Sequence, residues 1–170
     1  MTPGARSDAA IRPASKSDVP ALDKLGAEMV RTHYAFDPKR FIAPSPRTEE
    51  GYGSFLGSQV GQKDAIVLVA EMAGAVVGYV YAEVAGFDYM SLRGPAGVLT
   101  DIVVDPAHRG QGIGRLLLNA AIAALEARGV PRIVLSTAQQ NETAQKLFAS
   151  AGFRRTMIEM TRESGGDKHG

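Results

Sequence analysis

Val98-Leu99-Thr100-Asp101-Ile102-Val103-Val104-Asp105-Pro106, followed closely by Arg109-Gly110-Gln111-Gly112-Ile113-Gly114-Arg115, decides the fold of this chain. The first seven residues are a mostly apolar, β-branched run that predicts a strand, and Asp105-Pro106 stops it because proline donates no ladder hydrogen bond. From Ile113 the apolar residues Leu117, Ala121 and Leu125 recur every four positions, widened by Leu116, Ala120 and Ala124. That stripe predicts a helix ended by Gly129-Val130-Pro131. The glycines at 110, 112 and 114 therefore lie between a strand and a helix N-terminus, where backbone N–H groups converge at the positive end of the helix dipole. Side chains there would keep the backbone away from phosphate oxygens, and Arg109 and Arg115 add positive charge at either edge. The turn predicts a pyrophosphate site. A Walker A loop would need Gly-Lys-Ser/Thr at its end, and a Rossmann turn would need a third glycine where Arg115 stands. Neither pattern is met. Glycines alone would also suit a connection that binds nothing, but alternating glycines beside Arg109, between a strand and a helix, argue against that reading.

Upstream, Ala65 to Glu71 and Val76 to Val84 are apolar runs separated by Ala73-Gly74, which predicts an antiparallel hairpin. Ser17-Asp18 offers an N-cap to a first helix whose face carries Val19, Leu22, Leu25 and Met29. Pro38, Pro44 and Pro46 interrupt the next segment, leaving Thr48 to Leu56 for one short helix. Downstream, Ile133-Val134-Leu135 predicts a short buried strand, Asn141 to Ser150 a helix stopped by Gly152, and Phe153 to Thr161 a last strand with Met157 and Met160 in the core.

With 170 residues and 45% hydrophobic content, the chain suits one domain, placed at residues 11–163 between flexible ends at 1–10 and 164–170, the latter including a solvated His169. Lys+Arg 19 against Asp+Glu 18 leaves a net charge of +1, so no global field draws nucleic acid or an anionic membrane. Cysteine is absent, which excludes disulfides, thiolate ligands and a cysteine nucleophile. His33, His108 and His169 are scattered, so no metal is expected. No signal-like or bilayer-length apolar stretch occurs, making a soluble, cytoplasmic protein the default expectation.

Arg109, Gly112 and Gly114 fit a pattern of Arg or Gln, two residues, Gly, one residue, then Gly or Ala; this resembles the central motif of the GNAT superfamily of N-acetyltransferases. Ile11-Arg12-Pro13-Ala14 with Asp18 is similar to the family's opening strand and helix, and Asn141, Ala144, Leu147 and Ala151-Gly152-Phe153 are similar to its closing motif. The resemblance covers nearly the whole chain. It implies an α/β fold with a mixed, mostly antiparallel sheet flanked by helices, whose parallel central strands around Val104 and Val134 splay apart. Main-chain groups of Ile102, Val103 and Val104 would line the resulting slot for pantetheine. Residues Arg109, Gly110, Gln111, Gly112, Ile113, Gly114 and Arg115 would hold the pyrophosphate of acetyl-CoA, the cosubstrate. Asn141 is similar to a polar residue facing the coenzyme, or is simply the N-cap of its helix.

The resemblance also implies direct attack of an amine, from a small molecule or a protein, on the thioester. A backbone N–H near Val103 or Val104 would stabilise the oxyanion. Asp101, the carboxylate in the strand facing the coenzyme, is the candidate for the proton route; its alternative is a solvated or salt-bridged role. Strand alternation puts it on the face opposite Thr100. Glu83 is a further candidate. Phe148 stands where many relatives have a tyrosine that protonates the leaving thiolate, and phenylalanine has no proton to give. It is expected to pack beside the thioester, with Tyr34, Tyr52 or Tyr89 as substitute donors. His33 and Tyr34 would touch substrate or simply close the first helix. The segments Arg31 to Gly61 and Gly86 to Gly97 would shape the acceptor pocket. Many proteins the chain resembles are dimers, which raises the expectation of a homodimer. The alternative function is a non-catalytic, coenzyme A-binding regulatory module.

Overall fold

Ala73 and Gly74, with φ of 51° and 79°, form the two-residue turn of a hairpin. It joins β2 (Ala65–Met72) to β3 (Ala75–Ala85) in antiparallel register. A computed structural model describes residues 8–165. Around the hairpin, β1 (Ala10–Pro13) pairs with β2, and β4 (Ala96–Val104) pairs with β3, both antiparallel. The last strand, β5 (Ile133–Leu135), pairs with β4 in parallel, giving the order β1-β2-β3-β4-β5. A parallel neighbour requires a crossover. Here that crossover is α3 (Ile113–Glu126), whose Ile113, Leu117, Leu118, Ala121 and Leu125 are buried against Ile66, Val80, Ala82 and Leu99. α1 (Val19–Phe36) and α2 (Pro46–Gln59) cover the other face, where Leu22, Leu25 and Leu56 pack on Val67, Val69, Tyr79, Tyr81 and Val103. The chain closes with α4 (Glu142–Ser150), whose Leu147 and Phe148 rest against the α3 side of the core. The fold is therefore the mixed, helix-flanked α/β sheet expected.

Asp18 does something other than cap α1. The Arg12 guanidinium donates Nη1 and Nη2 to its two oxygens at 2.8 and 2.9 Å, while Nε bonds Glu71 at 2.8 Å. The Asp18 carboxylate also accepts the Ser15 N–H at 2.7 Å, within a short 3₁₀ turn at Lys16–Asp18. β1, this turn and β2 are thereby tied together. Arg12 and these donors hold the Asp18 carboxyl well below the usual carboxylate range. The stabilisation is present above the ordinary carboxylate pKa and is lost as pH falls through the depressed folded value. Asp18→Ala is expected to destabilise the protein by about 2–4 kcal/mol at neutral pH, read by denaturant unfolding, because it strands the Arg12 charge beside a broken network. A loss independent of pH in the acid range would contradict the assigned pairing.

Two expectations for the C-terminal part are corrected. Residues 153–161 form no strand among the described residues. A run that can extend becomes a strand only where a partner strand exists, and here side chains anchor it instead. Arg155 donates to Gln145 at 2.6 Å, and Glu159 pairs with Arg40. Met157 and Met160 are 80% and 90% exposed rather than in the core. Of the ends expected to be flexible, residues 1–7 and 166–170, with His169, lie outside the described residues. Ala10 already belongs to β1, and residues 164–165 form a turn. Among the described residues no helix is long and apolar enough to cross a membrane.

Candidate active site

Beyond β4, Asp105 accepts the Ala107 N–H at 2.9 Å and shapes a 3₁₀ turn at Pro106–His108. Arg109 is extended and exposed, with Nε donating to the Val104 carbonyl at 3.3 Å, which pins it to the strand end. Gly110 and Gly112 both take left-handed backbone, with φ of 77° and 80°. The bond from Leu116 N–H to Gly112 O, 3.2 Å, starts α3. The amides of Ile113, Gly114 and Arg115 precede it and have no acceptor within the helix. A Cβ on Gly110 or Gly112 would meet nothing within 4 Å, so the space above these amides is open. Gly114 serves differently: its Cβ would lie 3.6 Å from Leu147 and 3.9 Å from Val104, where α3 packs on α4 and β4. Arg115 is held to α4 by a bond to the Ser150 hydroxyl at 3.1 Å, and Gln111 is exposed.

The β4–β5 ladder runs from Gly97–Ile133 to Leu99–Leu135 and stops. β4 continues beside β3 as far as Val104–Gly78, so Ile102, Val103 and Val104 have no strand on the β5 side among the described residues. A donor and acceptor edge therefore opens next to the glycine turn. It is what an extended, amide-bearing chain needs for pairing.

Asp101 sits at the head of this edge, and a β-bulge sets its direction. Tyr81 pairs with Asp101 while Ala82 pairs with Leu99, leaving Thr100 as an extra residue. Regular two-residue alternation is therefore interrupted between Leu99 and Asp101, which lie two positions apart yet face opposite layers. Leu99, Ile102 and Val104 face α3, whereas Asp101 and Val103 face the α1/α2 layer. There the Asp101 carboxylate accepts hydrogen bonds from Tyr52 on α2 and from Tyr79 on β3, the latter at 3.3 Å. At 6% exposure, and with no salt bridge among the described residues, it is neither solvated nor ion-paired. Burial pushes its carboxyl up to about 7 and raises the Tyr79 phenol as well. A carboxyl titrating near neutrality is equipped to accept and release a proton.

The other predicted residues are placed as follows. Glu83 accepts from the Tyr81 hydroxyl at 3.1 Å and lines a cavity of about 260 Å³ with Gln59, Lys63 and Asp64. Burial, with Glu83 beside it, pushes the Tyr81 phenol up to about 12. Asn141 caps α4 by accepting the Ala144 N–H at 3.2 Å. Phe148 is half-buried, edge-on to Phe153 at 6.0 Å. His33 closes α1 with edge contacts to Phe36 and Phe41. Of the three tyrosines expected as substitute donors, Tyr52 reaches the buried site, while Tyr89 is 81% exposed. Tyr79, on the strand opposite, was missed; its alternation with Tyr81 on the β3 face toward α1 and α2 was the available signal.

Residues 28–153 match the acetyltransferase (GNAT) family, and the chain belongs to that family. A mycothiol acetyltransferase of Thermobispora bispora is 36% identical over 96 residues, 54% of this chain and 31% of the relative. A [ribosomal protein bS18]-alanine N-acetyltransferase of Haemophilus ducreyi is 43% identical over 60 residues, 35% of this chain and 41% of the relative. The chain thus spans well under half the length of these curated relatives. Among solved structures, the tetramutant of the BH1408 protein from Bacillus halodurans aligns with a TM-score of 0.77 at 23% identity, over 91% of this chain and 99% of that one, a likeness of fold.

Proposed function

We propose that this protein is an N-acetyltransferase that moves the acetyl group of acetyl-CoA to an amine of a small molecule or protein. The observation that carries the reading is the joining of the open amide cradle at Gly110–Arg115 to the unpaired β4 edge, with buried Asp101 at its head. When bound, acetyl-CoA supplies an activated thioester. The amides of Ile113, Gly114 and Arg115, with Arg109, hold its pyrophosphate. The edge at Ile102–Val104 receives the pantetheine amides, and a backbone N–H of Val103 or Val104 polarises the thioester carbonyl. Asp101 accepts the proton that the amine must shed. Asn141 faces the coenzyme while capping α4, and Phe148 packs beside the thioester. Phe148 gives no proton, which a thiol of pKa about 8.5 tolerates as leaving group. The exposed Phe87, Tyr89, Met90 and Leu92 of the β3–β4 loop border the acceptor pocket.

The relatives, one acting on mycothiol and the other on a protein alanine by name, support testing both acceptor classes. Phe148 also favours a second reading, a coenzyme A-binding module without turnover. An acceptor panel with acetyl-CoA, monitored by thiol release, separates the two. Sustained release with at least one amine is expected. Coenzyme binding without release under any amine would support the module, and failure of acetyl-CoA to bind would overturn both readings.

A further inference from the structure

Tyr52 is the α2 side chain that reaches buried Asp101. The carboxylate accepts hydrogen bonds from Tyr79 on β3 and from Tyr52 on α2, and Tyr52 itself is only half-buried. Tyr52 is held there by close helix packing. A Cβ on Gly26 of α1 would stand 2.7 Å from the Tyr52 ring, and one on Gly53 of α2 would overlap the Asp23 carboxylate. Two glycines in helix interiors, where they weaken helix formation, thus let α2 approach α1 closely enough for the phenol to reach β4. Among the described residues, the hydroxyl's other contact is the Met29 sulfur at 3.9 Å, a weak acceptor. That sulfur competes poorly with Asp101 for the phenol proton.

We propose that Tyr52 is a proton relay between the acceptor amine and Asp101, seated by the close packing of α1 and α2 at Gly26 and Gly53. This rests on the acetyltransfer reading above. As the amine loses its proton, the N–H bond breaks and a new O–H bond forms at the Tyr52 oxygen. The original Tyr52 proton passes to the Asp101 carboxylate, so the phenol ends neutral and Asp101 ends protonated. Return of that proton to solvent by the same path resets the site, and no further reactant is needed. The titratable groups facing Asp101 are Tyr52 from α2 and Tyr79 from β3, with the Tyr81–Glu83 pair farther along that strand and Asp23 from α1 beside Gly53.

Tyr52→Phe keeps the ring that packs on Gly26 and removes only the hydroxyl. In steady-state assays with an accepted amine, the high-pH plateau of kcat should fall by about 10- to 100-fold, with the KM for acetyl-CoA unchanged. The plateau decides between relay and tuning, because Asp101 is fully ionised there. Gly26→Ala keeps the hydroxyl but displaces the ring, and should lower the same plateau. A carbon-13 titration of the Asp101 carboxyl without substrate should show its midpoint rising by about one unit in Tyr52→Phe, since a donor to the ionised form is gone. A plateau restored to the wild-type level in Tyr52→Phe, or an unmoved Asp101 titration, overturns the relay and leaves acetyltransfer standing. Absence of thiol release from the wild-type protein with every amine overturns both.

Discussion

Gly112→Glu is expected to lower acetyl-CoA affinity by at least about 100-fold, roughly 3 kcal/mol, in calorimetric titration. Three effects act together. Gly112 has a φ of 80°, where an L side chain costs about 1–2 kcal/mol. Its Cβ would project into space that holds no protein atom within 4 Å, the volume assigned to the pyrophosphate. The new carboxylate would compete for the amides of Ile113, Gly114 and Arg115 and repel the phosphates at short range. Gly129→Glu separates backbone strain from obstruction. Gly129 has a φ of 74° and equally open surroundings, but lies past the other end of α3. It should bear a comparable strain and leave affinity unchanged. Undiminished binding by Gly112→Glu would show that the phosphate rests elsewhere.

The strand, turn and helix from Val98 to Glu126 were legible because their geometry demands residue types that stand out. Glycines at 110 and 112 mark left-handed backbone, Pro106 ends a strand, and the four-residue spacing from Ile113 announces a buried helix face. The hairpin at Ala73-Gly74 was legible for the same reason. The bulge at Thr100 was not. One extra residue reverses the phase of everything before it relative to Asp101, yet threonine is an ordinary strand residue and no letter marks the insertion. The direction of Asp101 is therefore a property of the β3–β4 register alone. Gly26 and Gly53 were opaque in another way. Within a helix, glycine reads as a weakness, and that it permits a close approach emerges only when the opposing helix is in place. Asp18 looked like a cap because caps are local, while its partner Arg12, which also binds Glu71, belongs to another element. At 153–161 the residues suit an extended chain, but a strand requires a neighbour, which no sequence run supplies by itself.

Asp101→Asn should separate function from stability in opposite directions. Asparagine matches the carboxylate in shape, and its Oδ1 can accept from Tyr52 and Tyr79, so the site should stay formed. Without a proton acceptor, turnover should drop by about 10²- to 10⁴-fold while acetyl-CoA still binds. For stability, the folded pKa of Asp101 is raised from 3.8 to about 7 by burial, so the fold favours the protonated form. That contribution is fully present below the unfolded pKa and is lost as pH rises through about 7. A shift of this size corresponds to an upper bound of about 4 kcal/mol between pH 4 and pH 9. The asparagine side chain cannot ionise, so the variant should match the wild type in acid and exceed it by roughly 2–4 kcal/mol at pH 9, measured by denaturant unfolding at both pH values. The sign is opposite to that of Asp18→Ala, whose loss is greatest where carboxylates are ionised. A stability difference that is flat with pH would mean that water solvates Asp101 and that its burial does not set its acidity. A more stable but inactive protein in alkali is the expected signature of a fold that keeps a costly buried carboxyl for its chemistry.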